Sequence, residues 1–316
     1  MEHRIDADIL IVGGGPAGLS AALVAGRARR SVVVIDQGNP RHAVSPGVHN
    51  FLTREGMPPA DLRRIAWEQL AAFPGVSHLD ARVTRLSRVE DRWVGDCGDR
   101  GTVTARAALL ATGVVDLLPT WPGFRRFWGR SVHFCPYCHG WEMRDQPLAT
   151  FGHGEAIAHF GPLLAQWSRD VVVIEGDTPL STATRDVLDR HEITVQPGTI
   201  AQLEGTGHQL SAIQLADGTV LQRQGLFIAA PQRQVPMVQA LDLATTPHPL
   251  NADGLVKVDP HQQTSAPMLW AAGDVENFRP QVVEAAAAGG RAGAMMHAVL
   301  ALGALPHFGP PSHDAP

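Results

Sequence analysis

Gly13-Gly14-Gly15-Pro16-Ala17-Gly18 falls between a short apolar run at residues 8–12 and a helix-like stretch at 19–28, and a second apolar run at 31–35 closes on Asp36. That order of strand, glycine turn, helix and strand predicts a βαβ unit, and with it a parallel sheet covered by helices. Gly13 allows the tight turn, Gly15 lets a pyrophosphate approach the backbone, and Gly18 lets helix and strand pack closely. The helix opening at Pro16 and Ala17 supplies unpaired N–H groups and a partial positive charge for phosphates. Asp36, followed by Gln37, stands where a carboxylate accepts hydrogen bonds from an adenosine ribose.

With 316 residues, 44% of them hydrophobic, the chain has material for two domains. A net charge of -5 and the lack of a Lys/Arg block leave no basic field for a polyanion, so nucleic acid is not an expected partner. The apolar stretch 9–25 is broken by Gly13, Gly14, Gly15, Pro16 and Gly18 and preceded by Asp6 and Asp8, which predicts neither a signal peptide nor a membrane span. The expectation is a cytoplasmic protein.

Downstream, segments 77–89, 92–94 and 102–106 read as an antiparallel meander before an apolar run stops at Ala111-Thr112-Gly113. A second strand, turn, helix, strand unit starts at 148–151, passes through Gly152-His153-Gly154 and a helix-like stretch to 167, and ends in a strand at 170–174. Strand-like segments at 212–215, 220–221 and 225–228 lead to a linker-like Pro247-His248-Pro249. Residues 268–274 read as a strand ending in Gly273-Asp274, 281–302 as an alanine-rich helix, and those from about 305 onward as a tail.

Between the two units lies Cys135-Pro136-Tyr137-Cys138-His139-Gly140. Two thiols at this spacing can close into a small disulfide, and in a reducing compartment such a pair is catalytic or metal-binding. Cys97 sits in a separate polar turn and reads as a bystander. The letters also satisfy the C-x-x-C-H pattern of haem attachment, which the missing export signal argues against. Zinc normally needs four ligands, and the pair offers half of them; fifteen histidines leave that reading open, with no metal ligand assigned. His139 either accepts a thiol proton near neutral pH or is a surface histidine after a turn.

Taken together, the GGGPAG turn, Ala111-Thr112-Gly113, Phe127-Trp128-Gly129-Arg130 running into Cys135-Pro136-Tyr137-Cys138, and Ala272-Gly273-Asp274 resemble the low-molecular-weight thioredoxin reductase family of flavoproteins over residues 8–302. The resemblance implies an α/β fold of two Rossmann-like three-layer domains in a homodimer. Residues 1–114 plus 247–316 would form the FAD domain, and 115–246 an inserted NAD(P)-type domain carrying the cysteines. It implies FAD along Gly13, Gly15, Pro16, Ala17 and Gly18, with Asp36 on the adenosine ribose, and adds Gln37, Thr112 and Gly113 to the cofactor-binding residues. Gly273-Asp274 would lie near the pyrophosphate and ribityl chain, Gln281-Val282-Val283 near the ring, and Asn50 beside the flavin. Read without the family, Gly273-Asp274 is equally a turn with an N-cap aspartate. By the same resemblance Cys138 faces the flavin, Cys135 meets the substrate, and His139 stands where an aspartate acid-base is usual.

The second unit departs from thioredoxin reductases. Glu155 adds negative charge beside the expected pyrophosphate, Ile157 adds bulk, and Glu175-Gly176-Asp177 replaces a basic cluster. Two carboxylates there repel a 2′-phosphate, which argues against NADPH and leaves NADH open through Glu175. A CPYCHG motif with such a site resembles the FAD-dependent dithiol oxidases similar to those of gliotoxin and holomycin biosynthesis. That branch implies electron flow from a dithiol small molecule or peptide through the cysteines to FAD and oxygen. Two alternatives stay open: a reductase passing electrons from NADH, NADPH or another carrier to a thioredoxin-like protein, and a flavin-binding redox sensor without turnover. Phe134, Tyr137 and Trp141 read either as an aromatic rim or as core.

Overall fold

The computed structural model describes residues 4–152, 157–279 and 281–304. It divides the chain into two compact units, Met1–Arg41 with Ala60–Val115 and Arg233–Pro316, and His42–Pro59 with Asp116–Gln232. Among the described residues no helix is long and apolar enough to cross a membrane.

The first unit opens with β1 (Arg4–Val12), α1 (Pro16–Arg27) and β2 (Val32–Asp36), followed by α2 (Pro59–Leu70) and β3 (Val76–Asp80). β1 and β2 run parallel with Ile9 opposite Val32, and both are almost wholly buried along their apolar runs. That pattern suits strands covered on both faces. β4 (Arg85–Val89), β5 (Arg92–Asp96) and β6 (Thr102–Leu110) complete the first pass in the order β3-β2-β1-β6-β5-β4. β3 pairs parallel with β2, so residues 76–80 extend the Rossmann sheet instead of joining the expected meander. The antiparallel part is confined to β4, β5 and the first half of β6.

The second unit begins in the crossing strand β7 (Val115–Asp116) and continues through α3 (Phe124–Phe127), β8 (Val132–His133), α4 (Pro136–His139), β9 (Leu148–Phe151), α5 (Ile157–Leu164), β10 (Val171–Ile174), α6 (Thr182–Arg190) and β11 (Thr194–Gln196). A three-stranded antiparallel sheet of β12 (Ile200–Thr206), β13 (Gln209–Leu215) and β14 (Val220–Gln222) follows, and β15 (Gly225–Ile228) returns to the parallel sheet, ordered β11-β10-β9-β15-β8. Every residue of β10 and β15 is buried, as a strand under helices on one face and a second layer on the other requires. Phe124, Phe127 and Ile213 fill one side of this unit, while Leu164, Leu188 and Phe227 fill another.

The chain leaves the second unit at β16 (Gln232–Arg233) and re-enters the first through α7 (Pro236–Gln239). The crossing therefore falls before Arg233, not near Thr246. Residues 247–249 are no linker: β17 (Thr245–His248) pairs antiparallel with β18 (Asn251–Val256). β19 (Leu269–Ala271) lies parallel to the second half of β6, Leu269 opposite Ala108, so one edge of β6 serves β5 first and β19 afterwards. α8 (Val282–Leu302) packs on α1 at backbone contact distance: a Cβ on Gly289 would lie 1.9 Å from the Ala17 carbonyl oxygen. Burying each aliphatic side chain in these layers contributes about 1.5–3 kcal/mol. Residues 153–156, with the expected Gly154 and Glu155, and the tail from 305 lie outside the described residues.

Candidate active site

In the first unit the loop between β1 and α1 forms an open cradle. Gly13 has φ +108° and donates its N–H to the Ile35 carbonyl at 2.8 Å; a Cβ there would fall 2.3 Å from the Ala111 carbonyl oxygen, so only glycine fits. Above Gly15 the space is open, since a Cβ would meet nothing within 4 Å. Gly15 caps α1 with no side-chain acceptor and Pro16 occupies the first turn, which leaves the opening N–H groups of α1 for an anion. Ala17 abuts Gly273, whose added Cβ would lie 3.2 Å from the Ala17 Cβ, so this turn and the end of β19 meet.

Around that cradle stand two arginines that the sequence did not single out. Arg63, from α2, forms an ion pair with Asp36 and donates through Nε to the Gly14 carbonyl at 3.3 Å. Burial lowers the Arg63 pKa, with the Asp80 carboxylate opposing the shift. Arg41 Nη1 lies 3.3 Å from Asp274 Oδ2. Neither arginine belongs to a local motif, so only the three-dimensional juxtaposition reveals them. Gln37 is exposed, and Thr112 Oγ1 donates to the Gly113 carbonyl at 3.3 Å where Gly113 turns the chain with φ +61°. Gly273-Asp274 opens a turn, Glu276 N–H donating to the Gly273 carbonyl at 2.9 Å, but Asp274 does not cap α8. That position belongs to Gln281, again without a side-chain acceptor. Val282 is half-buried and Val283 exposed. Burial pushes the Glu276 carboxyl up to about 7, opposed by Gln262, the Gly273 backbone and Arg291. A glycine turn open over Gly15 and an unfilled helix start fit a dinucleotide diphosphate, and Asp36 fits its ribose once Arg63 yields.

The cysteines lie in the second unit, at the start of α4. Cys135 and Cys138 form a disulfide with Cα atoms 5.2 Å apart. Cys135 is the N-cap, its Sγ accepting the Cys138 N–H at 3.2 Å, and Pro136 follows at the first helical position, where its missing N–H costs no hydrogen bond. A sulfur at a helix start is favoured as thiolate. Cys97 is free and buried, and burial raises its pKa.

His139 closes α4. Its ring lies tilted against the buried His133 with centroids 4.3 Å apart, meets His49 edge-on at 5.5 Å, and places Nε2 3.4 Å from Ser45 Oγ. Burial, and then the charge of His49, lower the His139 pKa to about 4, so the ring is neutral at neutral pH and keeps a lone pair. Burial and then His139 hold His133 well below the usual imidazole range.

Segment 42–59 wraps this turn. Asn50, at φ +60°, donates from Nδ2 to the Tyr137 carbonyl at 2.7 Å, so its side chain is engaged by the cysteine turn. His49 Nδ1 lies 2.6 Å from Glu55 Oε1, whose other oxygen accepts the Asn50 N–H at 2.8 Å, and His49 Nε2 lies 3.6 Å from Glu142 Oε1. The hydrogen bond from His49 is the main cause lowering the Glu55 pKa. His49, Glu55 and Glu142 were not expected from sequence; no spacing rule links position 49 to position 139. Tyr137 and Trp141 are 58% and 64% exposed, while Phe134 packs partly buried against the core, so the aromatic trio divides between rim and core.

The second nucleotide unit differs from expectation at its acid. Glu175 is 5% exposed and forms an ion pair with Arg185, and its Oε1 accepts the Leu180 N–H at 2.6 Å. The carboxylate through which NADH was left open is thus engaged by neighbours of its own unit.

A model of the pyridine nucleotide-disulphide oxidoreductase family matches residues 7–290. The chain belongs to that family. Within it, the chain is 30% identical to thioredoxin reductase tcpT of Claviceps purpurea over 311 residues, covering 91% of this chain and 92% of that one. A "Probable thioredoxin reductase" of Arthroderma benhamiae is 38% identical over 157 residues, which span 48% of this chain and 38% of that relative's length. The crystal structure of HlmI superposes with a TM-score of 0.87 at 32% identity, covering 95% of this chain and 94% of that one. This oxidoreductase is thus a thioredoxin reductase-like enzyme of two Rossmann-type units, and family membership implies FAD.

Proposed function

We propose that this oxidoreductase is a dithiol oxidase that forms a disulfide in a small molecule or peptide, with molecular oxygen as final acceptor. Glu175 carries the reading: a reductase fed by NADH uses a free carboxylate there for the ribose and one fed by NADPH a basic residue for the 2′-phosphate, whereas this position holds a carboxylate paired with Arg185 and Leu180. Assigned to FAD are Gly13, Gly15, Pro16, Ala17, Gly18, Asp36, Gln37, Thr112, Gly113, Gly273, Asp274, Gln281, Val282 and Val283, with Asn50 holding the cysteine turn.

In the first step a substrate thiolate attacks Cys135 Sγ, forming a mixed disulfide and releasing the Cys138 thiolate. The second substrate thiolate then attacks the substrate sulfur of the mixed disulfide and expels the Cys135 thiolate. Two electrons have reached the cysteine pair, and two thiol protons have been released. Neutral His139 offers its ring lone pair to one of them, and because burial disfavours its imidazolium the proton passes on instead of resting there. FAD, when bound, supplies the two-electron acceptor that regenerates the disulfide, and oxygen takes the pair onward to hydrogen peroxide. Exposed Tyr137 and Trp141 beside the cysteines suit an apolar substrate flank.

Likeness to proteins named thioredoxin reductases supports a second reading, reduction of a thioredoxin-like protein. Oxygen uptake separates the two. An oxidase consumes one oxygen per small dithiol oxidised and releases peroxide without any nicotinamide; NADPH-dependent reduction of thioredoxin without dithiol-driven oxygen uptake overturns the proposal.

A further inference from the structure

The two cysteines supply half of a zinc site by sequence, and the fold places a different set of donors beside them. We infer that His49, His139 and Glu142 form a site for a single divalent cation of zinc-like softness next to the redox disulfide. One donor atom from each of the three lies within 4.8 Å of the others. Donors about 2.0–2.2 Å from a tetrahedral ion are separated by about 3.3–3.6 Å, so closure takes about an ångström of side-chain rotation. Glu142 is exposed and His49 partly so, which leaves room for it.

The surroundings are arranged as metal ligands require. Glu55 accepts from His49 Nδ1 at 2.6 Å and is itself held by the Asn50 N–H, the carboxylate-to-histidine contact that fixes a ligand ring and its tautomer. That tautomer puts the His49 Nε2 lone pair toward Glu142 Oε1, 3.6 Å away. Two acceptors then face each other, and a cation between them turns the repulsion into coordination. His139 packs against the buried His133 ring, tilted to it with centroids 4.3 Å apart. Glu142 follows His139 by three residues, which returns its carboxylate toward the same side of the turn. Two imidazole nitrogens and one carboxylate oxygen match the three-ligand zinc sites that keep a fourth position open, here for water or a thiolate.

Binding of the ion stands on these contacts alone. Its consequence rests on the dithiol oxidase reading: a metal on His139 occupies the lone pair assigned to the thiol proton, so the ion is an inhibitor.

The test uses untagged, FAD-loaded, oxidised protein titrated with zinc against a chromophoric chelator. One zinc per chain is expected. H49Q and E142Q each weaken it at least tenfold, E55Q by about 10–100-fold, and the Cys135→Ser/Cys138→Ser double variant binds as wild type. Glu142 is exposed, so E142Q reports on the site without endangering the fold. Absence of stoichiometric zinc, or binding in H49Q and E142Q as tight as in wild type, overturns the site. A second measurement follows flavin bleaching by dithiothreitol without oxygen: zinc slows wild type and leaves E142Q unaffected. Zinc binding that E142Q abolishes, without such slowing, upholds the site and counts against the role of His139 instead.

Discussion

The Glu175 carboxylate accepts the Leu180 backbone N–H at 2.6 Å, inside the loop where a nucleotide-binding acid would point outward. With Arg185 on the same oxygen, the group serves the fold of the second unit. Glu175→Gln is expected to lower stability by about 1.5–3 kcal/mol, the value of a hydrogen bond to a charged group. Urea unfolding of that variant, with dithiol turnover measured alongside, checks the point: turnover is expected to be unchanged. In wild type, NADH and NADPH are expected to leave the flavin oxidised over the time dithiothreitol bleaches it.

In the proposed mechanism His139 is the base beside Cys138, and a general base contributes about 10²–10⁴ in rate. His139→Ala should slow anaerobic flavin bleaching by dithiothreitol by that factor at neutral pH, and Cys135→Ser or Cys138→Ser should abolish it. Stopped-flow absorbance reads both. A change below about threefold in His139→Ala would return His139 to the role of a packed turn residue.

Adjacent glycines of α8 make opposite predictions. A Cβ on Gly289 meets the Ala17 carbonyl oxygen at 1.9 Å, whereas one on Gly290 meets nothing within 4 Å. Gly289→Ala must push α1 and α8 apart, at a cost of about 1–3 kcal/mol, and weaken flavin retention at the Ala17 turn. Gly290→Ala gains helix propensity of up to about 1 kcal/mol. Thermal or urea unfolding of the two variants compares them directly.

Glu276 gives stability a pH dependence. Burial raises its folded-state pKa to about 7, above the ordinary carboxylate value, so the folded chain binds the extra proton between the two. Its contribution is most favourable at acid pH and falls as pH rises through 7. Glu276→Gln should therefore raise Tm relative to wild type more at pH 8 than at pH 5, conditions chosen on either side of that pKa. An equal gain at both would show that the carboxyl titrates normally in the folded chain.

Local features were legible without coordinates. The turn at Gly13 to Gly18, the apolar runs of β1, β2, β10 and β15, and the cysteine pair at the mouth of α4 depend on residues within a few positions of one another, and backbone geometry alone constrains them. The parallel pairing of 76–80 with β2 was not legible, because a short alternating strand suits a meander or a sheet edge equally well until α2 carries the chain across. Nor was the hairpin of β17 and β18, whose Pro247-His248-Pro249 carries the composition of a linker.

The sequence by itself determined a nucleotide-binding α/β fold with a redox pair in its middle. Tertiary structure decided how the charges near both sites are spent: Arg63 against Asp36, Arg185 against Glu175, and His49 between Glu55 and Glu142, facing His139. The reason is physical. A carboxylate or imidazole reveals its role through whatever lies within about 4 Å of it, and for these residues those neighbours come from other turns, helices and segments that only packing brings to the same place.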